Sequence, residues 1–400
     1  MDQNDTNFEL PNKGHDCLLF DMFTRTYDGP AQYRENIYGY LNRSARKEIE
    51  NVRDRLENWF SELPRNEKKE MKERFKKSFD SVFYELFLFQ LFKCLGFTIT
   101  LHPDIPGSSK KPDFLLKKNN LEIYAEAKIT KYQSQSDEAN ERRVNEFYDT
   151  LNKMKSENFY LFIRKLKFKT KNQPQTKGLI KFLEEKLKNL YVNDLYDAMS
   201  AGKYSEAPQL KYSDEQLEIV VVPLPANPDA RGKINRPVGI LPLQTIFDGA
   251  EESLENSIST KANRYGKLDK PYLICINAQS VKSASWHEIE NTVWGSLAFT
   301  WSSNPEERDE KLQRRPDGVF LKGKEVKMTN VSGILVTQVS ATDVMQSMYR
   351  LYKHPFSENS FDFEQLGLKY CVVENNFIKT VNGDDLGQIL MSSKADSSYH

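Results

Sequence analysis

Residues 111–130 read KPDFLLKKNNLEIYAEAKIT: two stretches of strand composition separated by Asn119 and Asn120. Asparagine is among the few residues that tolerate the positive φ of a two-residue hairpin turn. With that turn, Lys118 faces Leu121, and the register runs back until Asp113 faces Glu126. Facing residues share a sheet face, as do residues two apart on one strand. Asp113, Glu126 and Lys128 are therefore expected to project from the same face. Like charges opposed across a ladder repel. A divalent cation between them turns that repulsion into coordination, and carboxylate oxygens are the ligands Mg2+ prefers.

Upstream, SVFYELFLFQLFKCL (81–95) is apolar nearly all round and is followed by Gly96. This pattern predicts a buried helix with a glycine stop. Glu85 is the one acid in that run, and a carboxylate on a buried helix is costly unless a cation satisfies it. FTITLH (97–102) alternates and predicts a strand before the hairpin. Further back, Ile49, Val52, Leu56, Trp59 and Phe60 form one helical stripe. Pro64 should break that helix, and Asn66 could cap the next.

Downstream, helical texture is expected over 137–155, strands at FYLFIRKLKF (159–168) and LEIVVVPL (217–224), and a helix over 179–192 between them. Residues 225–245 read as a loop. A helix reaching Tyr265 leads into the strand PYLICIN (271–277). Trp286 to Trp294 suits a helix, VSGILVTQV (331–339) a strand, about 342–352 a helix, and KYCVVE (369–374) a final strand. Whether PYLICIN joins the hairpin's sheet or a second module is left open by the residues.

The chain has 400 residues, enough for more than one module, with 57 Lys plus Arg against 57 Asp plus Glu. Such a balance excludes binding nucleic acid through an overall basic field, so any such contact needs a local patch. The densest is 161–190, with nine Lys or Arg and two Glu. The widely spaced Cys17, Cys94, Cys275 and Cys371 make no zinc motif and read as reduced thiols. The histidines show no metal-ligand spacing, and nucleotide-binding glycine loops are absent. The polar start and the lack of a long apolar run lead to the expectation of a cytoplasmic protein that does not enter a membrane.

Pro112-Asp113, twelve intervening residues, then Glu126-Ala127-Lys128 resembles the signature of the PD-(D/E)XK nucleases. Glu85 resembles the acid that many members carry on the preceding helix. The order helix, three strands, helix over 79–155 resembles that family's core, and the chain more loosely resembles bacterial phage-defence nucleases. The resemblance implies an α/β fold: a restriction-endonuclease-like mixed sheet flanked by helices, with a helical N-terminal segment and a C-terminal α/β region. The corresponding boundaries are 1–75, 76–285 (the core with a basic insertion) and 286–400.

It further implies Mg2+-dependent hydrolysis of phosphodiesters, most simply in DNA, with Mn2+ able to substitute. Asp113, Glu126, Glu85 and the backbone carbonyl of Ala127 are then the metal ligands. Lys128 positions the water or stabilises developing charge. Lys110, Lys111, Arg164, Lys165, Lys167, Lys169 and Lys171 are the candidate phosphate contacts. Gln133, Gln135, Arg142 and Arg143 follow the motif strand, where the family often places a polar or basic helix residue. Trp286, Trp294 and Trp301 are candidate base-stacking groups, with core packing the commoner fate. A homo-oligomer or a defence-system partner protein is compatible with this reading. The rivals are an RNA or structure-specific nuclease, and an inactive nucleic-acid-binding sensor or scaffold.

Overall fold

The computed structural model describes residues 17–33, 35–131, 135–203, 207–234, 236–238, 250–279, 286–300, 311–374 and 377–392. The chain forms two compact units. One comprises Met1–Gly29, Asn36–Tyr132 and Gly249–His400, the other Pro30–Glu35 and Gln133–Asp248.

The first unit opens with three helices, α1 (Ile37–Arg43), α2 (Lys47–Ser61) and α3 (Arg65–Lys77). The α2 stripe is buried as its spacing predicts, through Ile49, Val52, Leu56, Trp59 and Phe60. Pro64, not Asn66, sits at the N-cap of α3, because proline's fixed φ already suits a helix start. Helix α4 (Phe79–Cys94) buries eleven of its sixteen residues and ends before Gly96, whose φ is +83°. Then come β1 (Thr98–Leu101), β2 (Phe114–Lys118) and β3 (Leu121–Lys131), joined as antiparallel neighbours.

The second unit follows β3 in sequence. It holds α5 (Gln135–Leu151), β4 (Phe159–Phe168), α6 (Lys177–Lys188), α7 (Val192–Ser200), β5 (Leu210–Ser213) and β6 (Leu217–Pro225). Its three strands form an antiparallel sheet in the order β4-β6-β5. Phe147, Tyr148 and Leu151 from α5, Leu179, Leu183 and Leu187 from α6, and Ile163, Ile219 and Val221 from the sheet make its core.

The chain returns to the first unit with α8 (Ala250–Ala262) and β7 (Tyr272–Gln279). Strand β7 lies parallel to β3, from Tyr124↔Tyr272 to Lys131↔Gln279. Parallel neighbours need a crossover connection. Here α8 supplies it, with Leu254, Ile258 and Ala262 packed against Tyr124, Ile274 and Ile276. Helix α9 (Trp286–Trp294), the hairpin β8 (Leu297–Thr300) and β9 (Lys311–Arg314), and the short strands β10 (Asp317–Gly318), β11 (Leu321–Lys322) and β12 (Glu325–Val326) come next. The sheet is completed by β13 (Gly333–Thr337), β14 (Tyr349–Lys353), β15 (Tyr370–Glu374) and β16 (Phe377–Val381), and α10 (Leu386–Ser392) closes the described chain. The order β1-β2-β3-β7-β13-β14-β15-β16 makes one mixed eight-stranded sheet among the described residues. The protein is thus α/β, with a mixed sheet flanked by helices.

Three expectations need correction. No boundary falls at 285/286: β7 pairs with β13 over five residues, and Leu273–Ile276 and Ile334–Val336 are fully buried. Strands with both faces covered belong to one core. Nor are residues 1–75 a separate module, since α1–α3 belong to the same unit as the sheet. The helix expected over about 342–352 is instead a turn followed by β14, which pairs antiparallel with β13. Tyr349, Leu351 and Tyr352 are buried there, and pairing with a buried strand outweighs a weak helical spacing. Residues 1–16 and 239–249 lie outside the described residues. Cys17, Cys94, Cys275 and Cys371 are unbridged. Among the described residues no helix is long and apolar enough to cross a membrane.

Candidate active site

The β2–β3 hairpin has the register its sequence predicts, from Lys118↔Leu121 to Phe114↔Ala125, with Asn119 at φ +53° in the turn. Beyond Phe114 that register sets Asp113 against Glu126 and Pro112 against Ala127. Proline has no N–H to give to a ladder, so β2 begins only after it. The side chain of Asp113 closes the gap. Its Oδ2 accepts the Ala127 N–H at 2.7 Å, while its own N–H points at Glu126 Oε2, 3.3 Å away. The N–H and C=O of a strand residue leave on the same side, so the Ala127 carbonyl also faces the Asp113 side.

Glu126 is 1% exposed, and burying a carboxylate demands compensation. Its partners come from α8 and the turn after it. Lys261 Nζ ion-pairs with Oε1, and Arg264 Nη1 stands 3.2 Å from the same oxygen. Tyr265 Oη lies 2.5 Å from Oε2 and 2.9 Å from the Lys111 carbonyl oxygen. Its proton serves the carboxylate, the stronger acceptor. Burial first, and then Glu126, push the Tyr265 hydroxyl well above its ordinary pKa.

Asp113 is the electrostatically perturbed acid. Burial first, then the charges of Glu126 and Glu85, push its carboxyl up from 3.8 to about 7, against the pull of the Ala127 N–H and Lys261. Asp113 Oδ1 has no hydrogen-bond partner among the described residues. Lys128, two residues from Glu126, is half-buried and has no ion pair or hydrogen bond among the described residues. Burial, then Lys261 and Arg264, hold its ammonium below the ordinary lysine range.

Glu85 projects from α4 and pairs with Arg74 Nη2 of α3 at 2.5 Å. Its charge reaches Asp113, as the shift of that group records, but its carboxylate is engaged by arginine. For Glu85 to serve as the further metal ligand expected from the sequence, an ion would have to displace or share Arg74, as it would Lys261 and Arg264 at Glu126. Among the described residues no three His, Cys, Asp or Glu side chains cluster to hold an ion. The hard-oxygen donors that converge are Asp113, Glu126 and the Ala127 carbonyl. Two carboxylates suffice for Mg2+, which keeps several waters and commonly shares its shell with substrate phosphate. A raised acid pKa beside a second carboxylate is the electrostatic signature of a place where a cation is favoured. The residues present fit that ion.

The candidate phosphate contacts separate into two sets. Lys110 and Lys111 are exposed beside the site. Lys110 Nζ donates to the Arg264 carbonyl at 3.1 Å, and Lys111 Nζ pairs with Asp104 at 2.8 Å. Arg164, Lys165, Lys167, Lys169 and Lys171 belong to the other unit, on β4 and just after it. Arg142 and Arg143 are also in that unit, on α5. Gln133, the side chain of Gln135, and Trp301 lie outside the described residues. Trp286 and Trp294 pack against the core of the first unit.

The residues that sequence reasoning missed are Lys261, Arg264, Tyr265 and Arg74. The sequence points to helix residues directly after β3, but the crossover helix is α8, more than a hundred residues on. A signal was present: Leu254, Ile258, Lys261 and Tyr265 follow helical spacing, which puts a lysine at a core-facing position. With this geometry in hand, comparison with known proteins adds no kinship: no family model, no curated protein and no solved structure matches the chain.

Proposed function

We propose that this chain is a divalent-metal-dependent nuclease that hydrolyses phosphodiester bonds in nucleic acid, most simply DNA. One observation carries the reading. Asp113, pushed up to about 7, stands against buried Glu126 on the face that also bears Lys128, whose ammonium has no ion pair or hydrogen bond among the described residues. Buried like charges are expensive, and a fold that keeps them together beside a half-buried lysine is poised for a cation and an anion at once. Asp113, Glu126 and the Ala127 carbonyl would hold Mg2+, which when bound supplies charge neutralisation for the phosphate and a more acidic water.

The chain's own groups do the rest. Lys128 offers an ammonium to the scissile phosphate or the attacking water, where its positive charge meets the charge that grows on the phosphate. Lys261 and Arg264 orient Glu126 and add positive potential where phosphate charge grows. Arg74 holds Glu85 in place. The order α4, β1, β2, β3, α8, β7 supports a restriction-endonuclease-like core in which α8 takes the place expected of α5.

A second reading is favoured by one fact: both oxygens of Glu126 already have partners in Lys261, Arg264 and Tyr265. The cluster would then be structural, within a nucleic-acid-binding scaffold. Incubation with plasmid, linear DNA and RNA, with Mg2+ or with chelator, decides between them. The nuclease reading expects metal-dependent cleavage that Lys128→Ala abolishes. Intact substrate under every metal condition would leave the scaffold.

A further inference from the structure

We infer that the outer face of the β4-β6-β5 sheet is a binding surface for single-stranded nucleic acid. The argument starts with a β-bulge. Phe159, Leu161 and Ile163 alternate into the core of the second unit. Unbroken alternation would next turn Lys165 inward. Instead the register slips between Ile163 and Lys165, so that Ile163 faces Val221 while Lys165 faces Val220. The extra residue, Arg164, is exposed. Past the bulge Leu166 and Phe168 pack on the core, and Lys165, Lys167 and Lys169 all point outward, exposed. Bulges commonly re-aim side chains in this way.

The neighbouring strands extend the same face. Lys165 and Lys211 flank Val220 in one cross-strand row, and Lys167 lies beside Glu218 in the next. Lysines two apart on β4 are spaced by about 6.6 Å, and Lys165 and Lys211 by about 9.6 Å across two strand intervals. Lys165 binds Glu218 at 2.6 Å, and Lys169 reaches Ser213 at 2.8 Å. Arg164, Lys167 and Lys211 have no ion pair or hydrogen bond among the described residues. The lone acid of the rows reports the field: a hydrogen bond and charge from Lys165, then the charges of Lys167 and Lys169, hold the Glu218 carboxyl below its ordinary range.

The same face carries rings. Phe162 opposite Val222 and Tyr160 opposite Leu224 lie in register with these rows, and both are half-exposed. A sheet face with half-exposed aromatic rings on the strand that also carries the spaced cations suits unpaired bases that stack and a backbone that tracks the charges. A duplex hides its base faces and could use only the cations. The surface deepens the nuclease reading by naming the substrate form, and rests on it only for the claim that the bound strand is a substrate.

The test is binding by the full chain in chelator, so that failure of cleavage and failure of this surface stay distinguishable. The probes are labelled oligo-dT, oligo-rU and a mixed-sequence duplex across a salt series. K165Q/K167Q/K211Q should weaken both single strands at least tenfold and flatten the slope of log affinity against log salt by about two. Phe162→Ala should cost single strands about tenfold with the slope unchanged, and Phe162→Tyr should restore binding. Unchanged affinity and slope in the lysine variant overturn the surface. Equal losses for duplex and single strands on removing Phe162, with no rescue by tyrosine, overturn the single-strand assignment.

Discussion

Lys261, from the end of α8, ion-pairs with Glu126 of β3 across a separation of 135 residues. The carboxylate is buried at the centre of the candidate site, and its nearest cation is one that metal binding must displace or share. This competition sets the sign of the first expectation. Lys261→Met leaves Glu126 with Arg264 and Tyr265 only, and breaking a buried pair costs about 3 kcal/mol. The metal-free variant should melt well below the wild type. Mg2+ should then raise its Tm by more than it raises that of the wild type, because the ion replaces the lost charge by mass action. Melting curves with and without Mg2+ measure this, and equal Mg2+ shifts in the two proteins would refute the competition.

Asp113 gives the metal-free protein a particular pH dependence. Its folded pKa, about 7, lies above its ordinary 3.8. The native state therefore binds more protons than the unfolded state in that window, and stability falls as pH rises from about 4 through 7. The full difference is on the order of 4 kcal/mol. Asp113→Asn should remove that slope and be more stable than wild type at pH 8 in chelator. Protons also compete with the ion there, so Mg2+ affinity should climb as pH passes 7. Denaturant titrations at pH 5 and pH 8 report the difference, and parallel pH profiles for the two proteins would count against it.

Lys128 separates catalysis from metal binding. Its ammonium is held below the ordinary range by burial, Lys261 and Arg264, so removing it relieves repulsion. Lys128→Ala should abolish cleavage, keep or slightly raise metal-free stability, and retain the full Mg2+ shift in Tm. Asp113→Ala should lose both cleavage and the shift. A cleavage assay run beside the melts checks both, and loss of the metal shift in Lys128→Ala would contradict the assigned role.

Glu85 is expected to act through its position. Its pairing with Arg74 is partly buried, so Glu85→Ala strands a guanidinium and should cost roughly 2 kcal/mol. Because Glu85 is one cause of the Asp113 shift, the variant should also end the decline of metal-free stability at a lower pH and make it smaller. The Mg2+ shift should survive. Its disappearance would make Glu85 a ligand after all.

Much of this molecule is readable from its sequence wherever a local rule governs. Asn119 and Asn120 set the hairpin register, since a two-residue turn leaves one way to pair the strands and period-2 alternation then decides every face. The apolar run of α4 and the stop at Gly96 followed from helical spacing and the freedom of glycine at φ +83°. The facing of Asp113 and Glu126 was legible for the same reason. What only the tertiary structure decided lies at long range. The second unit separates β3 from its crossover helix, so Lys261, Arg264 and Tyr265 reach Glu126 from a segment that no spacing rule ties to the motif. Arg74 reaches Glu85 by the packing of one helix on another. Pairing with β13, itself parallel to β7, made a strand of 349–353 where spacing suggested a helix. Local sequence determines which face a side chain takes; which charge answers it across a buried sheet depends on the packing of the whole chain.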